Sequence, residues 1–218
     1  MAKITPDGKS YMERELEKLV DEVKINVHLP SGKSEPTDAI KEVMEPLENS
    51  SEKITVSYIE EDSAEDGGFG YIPDRLPAIA ILDKEGKDHG MVIYGIPTAG
   101  LFRAFMRMIV MFSTGEHNLD DEMVEKINNM EKTELQVLVT PSTPKCDETV
   151  EVAASFAFCS EKATCSVTEL IEFPEIAERY EVLDVPKTIV DEDLKFTGSY
   201  DSSELLRIIE ERISDVEE

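Results

Sequence analysis

The chain reads as an α/β protein made of two tandem units of one kind, each a central mixed β-sheet flanked by helices. Three observations carry that reading. Apolar segments of strand length alternate with segments of helical period along the 218 residues. Pro186 follows Pro77 by 109 positions, and each proline opens a short apolar strand. The same offset carries Cys146 onto Thr37, each directly followed by an aspartate, Asp147 and Asp38. Two anchors at one offset are what an internal duplication produces.

The elements follow in order. Residues 10–23 place Met12, Leu16, Leu19, Val20 and Val23 on one helical face and predict an extra helix before the first strand. Residues 25–29 read as a strand. Residues 37–47 read as a helix with Ile40, Val43, Met44 and Leu47 on one face. Residues 54–59 alternate as a strand should, and 75–81 form the strand opened by Pro77. Residues 62–71 carry three glycines and predict a loop. The helix at 101–112 is more apolar than a half-exposed one needs. It belongs in the core, between the units or at a subunit contact, so self-association is compatible with it. A boundary at 114–118 divides the chain into units 1–116 and 117–218. The helix beginning at 118–122, capped by Asn118 or Asp120, occupies the position of the 10–23 helix.

In the second unit, 135–139 is a buried strand and 147–158 a helix with Val150, Ala153, Ala154 and Ala157 at helical spacing. Residues 167–173 read as a strand, and 174–180 as a short helix with Pro174 in its first turn. Residues 188–190 start another strand, and Gly198 closes the one after it. Residues 201–214 supply the last helix, with Leu205, Leu206, Ile208 and Ile209 as its apolar face.

The chemistry concentrates at Thr143-Pro144-Lys145-Cys146. A dithiol exchange site needs two cysteines separated by two residues at a helix start, one attacking a disulfide and the other resolving the mixed intermediate. Here Thr143 stands in the attacking position, and a hydroxyl forms no disulfide. The first unit reads Ser34-Glu35-Pro36-Thr37, with hydroxyls at both positions. Cys146 sits at a strand-to-helix junction, where the helix dipole favours a thiolate. A residue one turn into a helix is also prone to burial, which raises a thiol's pKa. Lys145 either lowers that pKa through its charge or points to solvent. Neither Ser34 nor Thr143 has a histidine base nearby in sequence, so hydrolysis is unsupported.

The order strand, proline-bearing loop, helix, strand, short helix, Val-Pro, strand, hairpin, helix is that of a thioredoxin fold. With Thr140 to Cys146, Glu169 to Glu175, Val185-Pro186-Lys187 and Tyr94-Gly95-Ile96-Pro97, the chain resembles the archaeal protein disulfide oxidoreductases, also described as glutaredoxin-like proteins. That family has two Cys-X-X-Cys sites. The resemblance implies a protein or peptide substrate, with a thiol reductant or a thioredoxin-reductase-like donor as a further partner. It places Cys146 at the resolving position. Pro77 and Pro186 take the places of the cis-prolines that line the substrate groove, beside Pro144, Lys145 and Val185. Ser34, Thr37 and Thr143 depart from the pattern. The expectation is impaired or monothiol exchange through Cys146. The alternative is a redox-inactive polypeptide-binding or chaperone-like module that uses the proline grooves.

Composition narrows the partners. The net charge of −26 repels nucleic acid and anionic membrane surfaces. No run of about 18 apolar residues is present, and the N-terminal residues lack an apolar signal region, so a soluble cytoplasmic protein is expected. Three cysteines make no disulfide scaffold. Cys159 and Cys165 are either small buried hydrophobes or the ends of a small disulfide loop. His28, His89 and His117 are scattered and read as isolated loop or surface residues without metal-ligand spacing. No metal or cofactor is expected.

Overall fold

Eight strands join edge to edge into one mixed sheet, ordered β2-β1-β3-β4-β6-β5-β7-β8. The computed structural model describes residues 4–60 and 73–216. In the first unit, α1 (Pro6–Leu16) precedes β1 (Val23–Leu29), α2 (Glu35–Asn49), β2 (Ile54–Glu60), β3 (Ala78–Leu82), β4 (Met91–Tyr94) and α3 (Ala99–Thr114). In the second, α4 (Asp121–Asn129) precedes β5 (Thr133–Val139), α5 (Cys146–Cys159), β6 (Ala163–Glu169), α6 (Pro174–Arg179), β7 (Lys187–Val190), β8 (Leu194–Thr197) and α7 (Ser202–Val216). Each half repeats one plan. β1 pairs parallel with β2 and antiparallel with β3, as β5 does with β6 and β7. The halves are sewn together by β4 and β6, which run parallel from Met91 opposite Cys165 to Tyr94 opposite Thr168.

That seam explains the composition of α3. Leu101, Phe105, Met106 and Ile109 are each at most 1 % exposed, because α3 packs against the sheet and against α5 of the other unit. The predicted apolar helix is therefore core. One large cluster runs across both units, from Ile25, Val27 and Ile40 through Phe105 to Val150 and Phe156. A smaller one, with Ala78, Tyr94, Phe173, Tyr180 and Ile189, covers the opposite face. Gly115 ends α3 in the left-handed region at φ +74° and returns its amide to Met111.

Several expectations need correction. The first helix spans Pro6–Leu16, not residues 10–23. Thr5 caps it by accepting the Gly8 amide, and Pro6 fits the first turn. Its apolar stripe does not continue, since Val20 is 65 % exposed and Val23 already belongs to β1. The strand expected at 167–173 is Ala163–Glu169. Glu169 ends it by accepting the Ile171 and Glu172 amides on its two carboxylate oxygens, at 2.9 and 2.8 Å, which turns the chain out of the sheet. Of the two proposed caps of α4, Asp120 does the work, taking the Met123 amide at 2.8 Å. The loop expected at 62–71 lies outside the described residues. His28 is no surface residue but is buried within β1. His89 is half-buried, stacked on Phe158 with ring centres 4.5 Å apart and bonded through Nε2 to Asp83 at 2.8 Å.

Candidate functional site

Both prolines of the repeat follow cis peptide bonds, Leu76–Pro77 and Val185–Pro186. Both are buried at the start of an antiparallel strand. Each presents its carbonyl to a glycine: Gly95 donates to Pro77 at 2.9 Å, and Gly198 to Pro186 at 2.8 Å. The repeat is thus kept at the level of single hydrogen bonds.

The two motif segments are built differently. In the first unit Ser34 is the N-cap of α2, and its Oγ lies 2.8 Å from Oγ1 of Thr37. The Thr37 amide donates to the same Ser34 oxygen at 3.4 Å. The hydroxyls at the two motif positions bond to each other. In the second unit the Oγ1 of Thr143 lies 2.6 Å from that of Thr140. Lys145, exposed and left-handed at φ +68°, interrupts the chain, so α5 begins only at Cys146.

Cys146 is 1 % exposed. Burial pushes its thiol up; a backbone hydrogen bond from Thr140 opposes this, and the carboxylates of Asp147 and Asp184 push it further up. The thiolate-favouring helix start expected from sequence is outweighed by desolvation. Asp147 lies 3.5 Å from Arg103 and 3.3 Å from Arg107, both on α3, which ties the α5 start to the first unit. All three cysteines are free, so the Cys159–Cys165 loop is not closed. Burial pushes Cys159 up to about 11 and Cys165 to about 12.

Between the units lies a cavity of about 1180 Å³. It brings the two motifs to one space: Glu35 and Pro36 of the first meet Pro141, Ser142, Thr143 and Pro144 of the second. Of the groove residues expected from sequence, Pro144 lines it. Pro77, Pro186, Lys145, Val185 and Cys146 do not, nor do Ser34 and Thr37 themselves. The rest of the wall comes from elements the sequence reading left out of the site. Ile4 ahead of α1 contributes with Asp7 and Tyr11 of that helix, the first half of α3 contributes Gly100, Phe102 and Arg103, and the end of β6 and the turn after it contribute Glu169, Ile171 and Glu172. Gly100 donates to Pro141 at 2.8 Å, and a Cβ there would meet that same oxygen at 2.8 Å. The small run Thr98-Ala99-Gly100 ahead of a bulky helix was the available signal. Among the described residues no group of three or more His, Cys, Asp or Glu is arranged to hold a metal ion. No described helix is long and apolar enough to cross a membrane.

Residues 114–210 match the thioredoxin domain family. No curated protein matches the chain at the sequence level. Solved structures do. A mutant form of the alkylhydroperoxide reductase AhpF from Enterococcus faecalis superposes with a TM-score of 0.86 at 18% identity, covering 95% of this chain and all of that one. The N/C domain of the N-terminal region of the same reductase gives 0.85 at 17%, over 94% and 99% of the two chains. A protein disulfide oxidoreductase from Aeropyrum pernix gives 0.83 at 23%, over 96% and 93%. At these identities the likeness is one of fold, and it spans the whole tandem arrangement.

Proposed function

We propose that this thioredoxin-fold, disulfide-oxidoreductase-like chain binds polypeptide without exchanging disulfides. One observation carries the reading: the sole cysteine of either motif, Cys146, is 1 % exposed with its thiol pushed up, beside a hydroxyl at the attacking position. Exchange proceeds by thiolate attack on an accessible sulfur, and Cys146 supplies neither the thiolate nor the access. What favours binding is kept: the cavity shared by both motifs, and exposed apolar side chains beside the second motif's loops, Ile171 at 71 % and Leu183 at 98 %. Thioredoxin-fold oxidoreductases act on protein substrates, and this chain has both cis-prolines, at Pro77 and Pro186, without a cysteine pair beside either.

Monothiol exchange through Cys146 is the competing reading, and labelling decides between them. Iodoacetamide alkylation of native protein, mapped by mass spectrometry from acidic to alkaline pH, is expected to leave Cys146 unmodified at neutral pH. Modification should begin only above the ordinary thiol range of about 8.5. Unfolded protein should label readily at the lower pH. Rapid native labelling at neutral pH, or reduction of insulin disulfides with dithiothreitol as the terminal reductant, would sink the proposal.

A further inference from the structure

We propose that the segment held in the cavity between the two units is a basic one, an extended stretch of polypeptide with lysine or arginine set among apolar residues. The inference rests on the polypeptide binding proposed above and assigns its substrate class.

The wall has two chemistries. Its apolar part is Ile4, Val43, Ile96, Phe102 and Ile171. Its polar part is one-sided in charge. Asp7, Glu35 and Glu172 are exposed carboxylates on three different elements, α1, α2 and the β6–α6 turn. Glu169 adds a fourth, buried, with both oxygens engaged by backbone amides. Among the described lining residues the cation is Arg103, and its guanidinium is already directed to Asp147 at 3.5 Å.

A lysine or arginine side chain fits this mixture, because its methylene stem covers apolar surface while its head reaches a carboxylate. An acidic or phosphorylated ligand does not. The start of α2, where a helix dipole would attract an anion, is occupied by the Ser34 cap and carries Glu35 in its first turn. The space of about 1180 Å³ exceeds the roughly 300–1,000 Å³ usual for a small-molecule pocket. The net charge of −26 steers basic partners toward the chain from a distance, and the cavity supplies short-range selection.

The test measures fluorescence anisotropy of a short labelled peptide of alternating leucine and lysine, against the full chain at an ionic strength of about 0.15 M. Matched peptides replace lysine by glutamine or by glutamate. The lysine peptide should bind and the glutamate peptide should not. A triple variant, Asp7→Asn with Glu35→Gln and Glu172→Gln, should weaken lysine-peptide binding by about tenfold, as the loss of three exposed charge contacts predicts. A second triple variant, Glu52→Gln with Glu85→Gln and Glu116→Gln, carries the same net charge away from the cavity and should leave binding within about twofold. Equal weakening in both variants would mean diffuse attraction and would overturn the assignment. Equal binding of the glutamine peptide would also overturn it, while leaving polypeptide binding standing. Absence of binding by all three peptides would remove both. The peptides contain no cysteine, so none of these results depends on whether Cys146 exchanges thiols.

Discussion

Neither motif of the repeated fold holds a cysteine pair, and the two are built in different ways. In the first, Ser34 and Thr37 bond to each other at 2.8 Å, and Ser34 also caps α2. Hydroxyls there take over a structural task at the helix end. In the second, Thr143 bonds backward to Thr140, Lys145 takes a left-handed conformation, and Cys146 stays sealed under the loop. The first motif is thus a local cap, and the second pairs its hydroxyl with Thr140 over a buried thiol. The cis-prolines and the glycine amides bonded to them are alike in both units, because they sit at the strand ends and outside the motifs.

The closing helices of the two units differ still more, and the largest predicted effect tests that. α3 is buried between the sheet and α5, whereas α7 is amphipathic and covers an outer face, with Arg207 and Glu211 exposed. Phe105, fully buried at the centre of the shared core, should cost about 3–5 kcal/mol when truncated to alanine. Urea unfolding should show one cooperative transition for the whole chain, since the core runs through both units. Two separated transitions would mean that the seam is weaker than its burial suggests.

A paired glycine substitution sharpens the comparison next. Gly95 and Gly198 make the same bond to their cis-prolines at φ of +103° and +108°. A Cβ on Gly95 would lie 2.8 Å from Cβ of Glu169 in the neighbouring unit, whereas Gly198 has nothing within 4 Å. Gly95→Ala should cost about 3 kcal/mol, backbone strain plus overpacking, and Gly198→Ala about 1–2 kcal/mol from strain alone. Equal losses in denaturant midpoint would show that the units do not press together at Gly95.

At the β3–β4 turn, Asp83 accepts from His89 and from the Glu85 and Lys87 amides. Burial pushes its carboxyl up, but the Lys87 amide and His89 hold it below the usual range. A depressed pKa means stability present at neutral pH and lost as pH falls below about 3.9 toward the folded value. Asp83→Asn should cost about 1–2 kcal/mol at pH 7, and the difference from the parent chain should shrink as acid protonates Asp83. A pH-independent difference would assign the effect to packing.

How far the sequence revealed this follows from what each signal measures. Most strands, the apolar α3 and the 109-residue register were legible, because burial imposes periodicity and duplication imposes spacing; the seam strand β4 was not foreseen and β6 was placed too late. The prolines carried the register, and both open strands that pair antiparallel with the first strand of their unit. The cavity was not legible. Its wall draws on Asp7, Gly100 and Glu172, which are far apart in sequence and meet only because β4 and β6 align the units. Nor was the state of Cys146. A helix start argues for a thiolate, and only the three-dimensional packing shows that desolvation wins. The first helix was misplaced because apolar residues in the following turn, Leu19 among them, continue its spacing after the helix has ended.

The smallest effect separates the two motifs themselves. Ser34→Ala removes an N-cap and one half of a hydroxyl pair, and caps of this kind contribute about 1 kcal/mol. Thr143→Ala removes a hydroxyl pair with no capping role, since α5 starts at Cys146 and its cap residue, Lys145, makes no side-chain bond. A loss of about 0.5 kcal/mol is expected there, at the lower end for a partly exposed hydrogen bond. Thermal melts of the two variants should rank Ser34→Ala below Thr143→Ala. The reverse ranking would mean that the second motif is the more tightly held. The Thr143–Thr140 hydroxyl pair would then hold its loop more firmly than the Ser34 cap holds the start of α2.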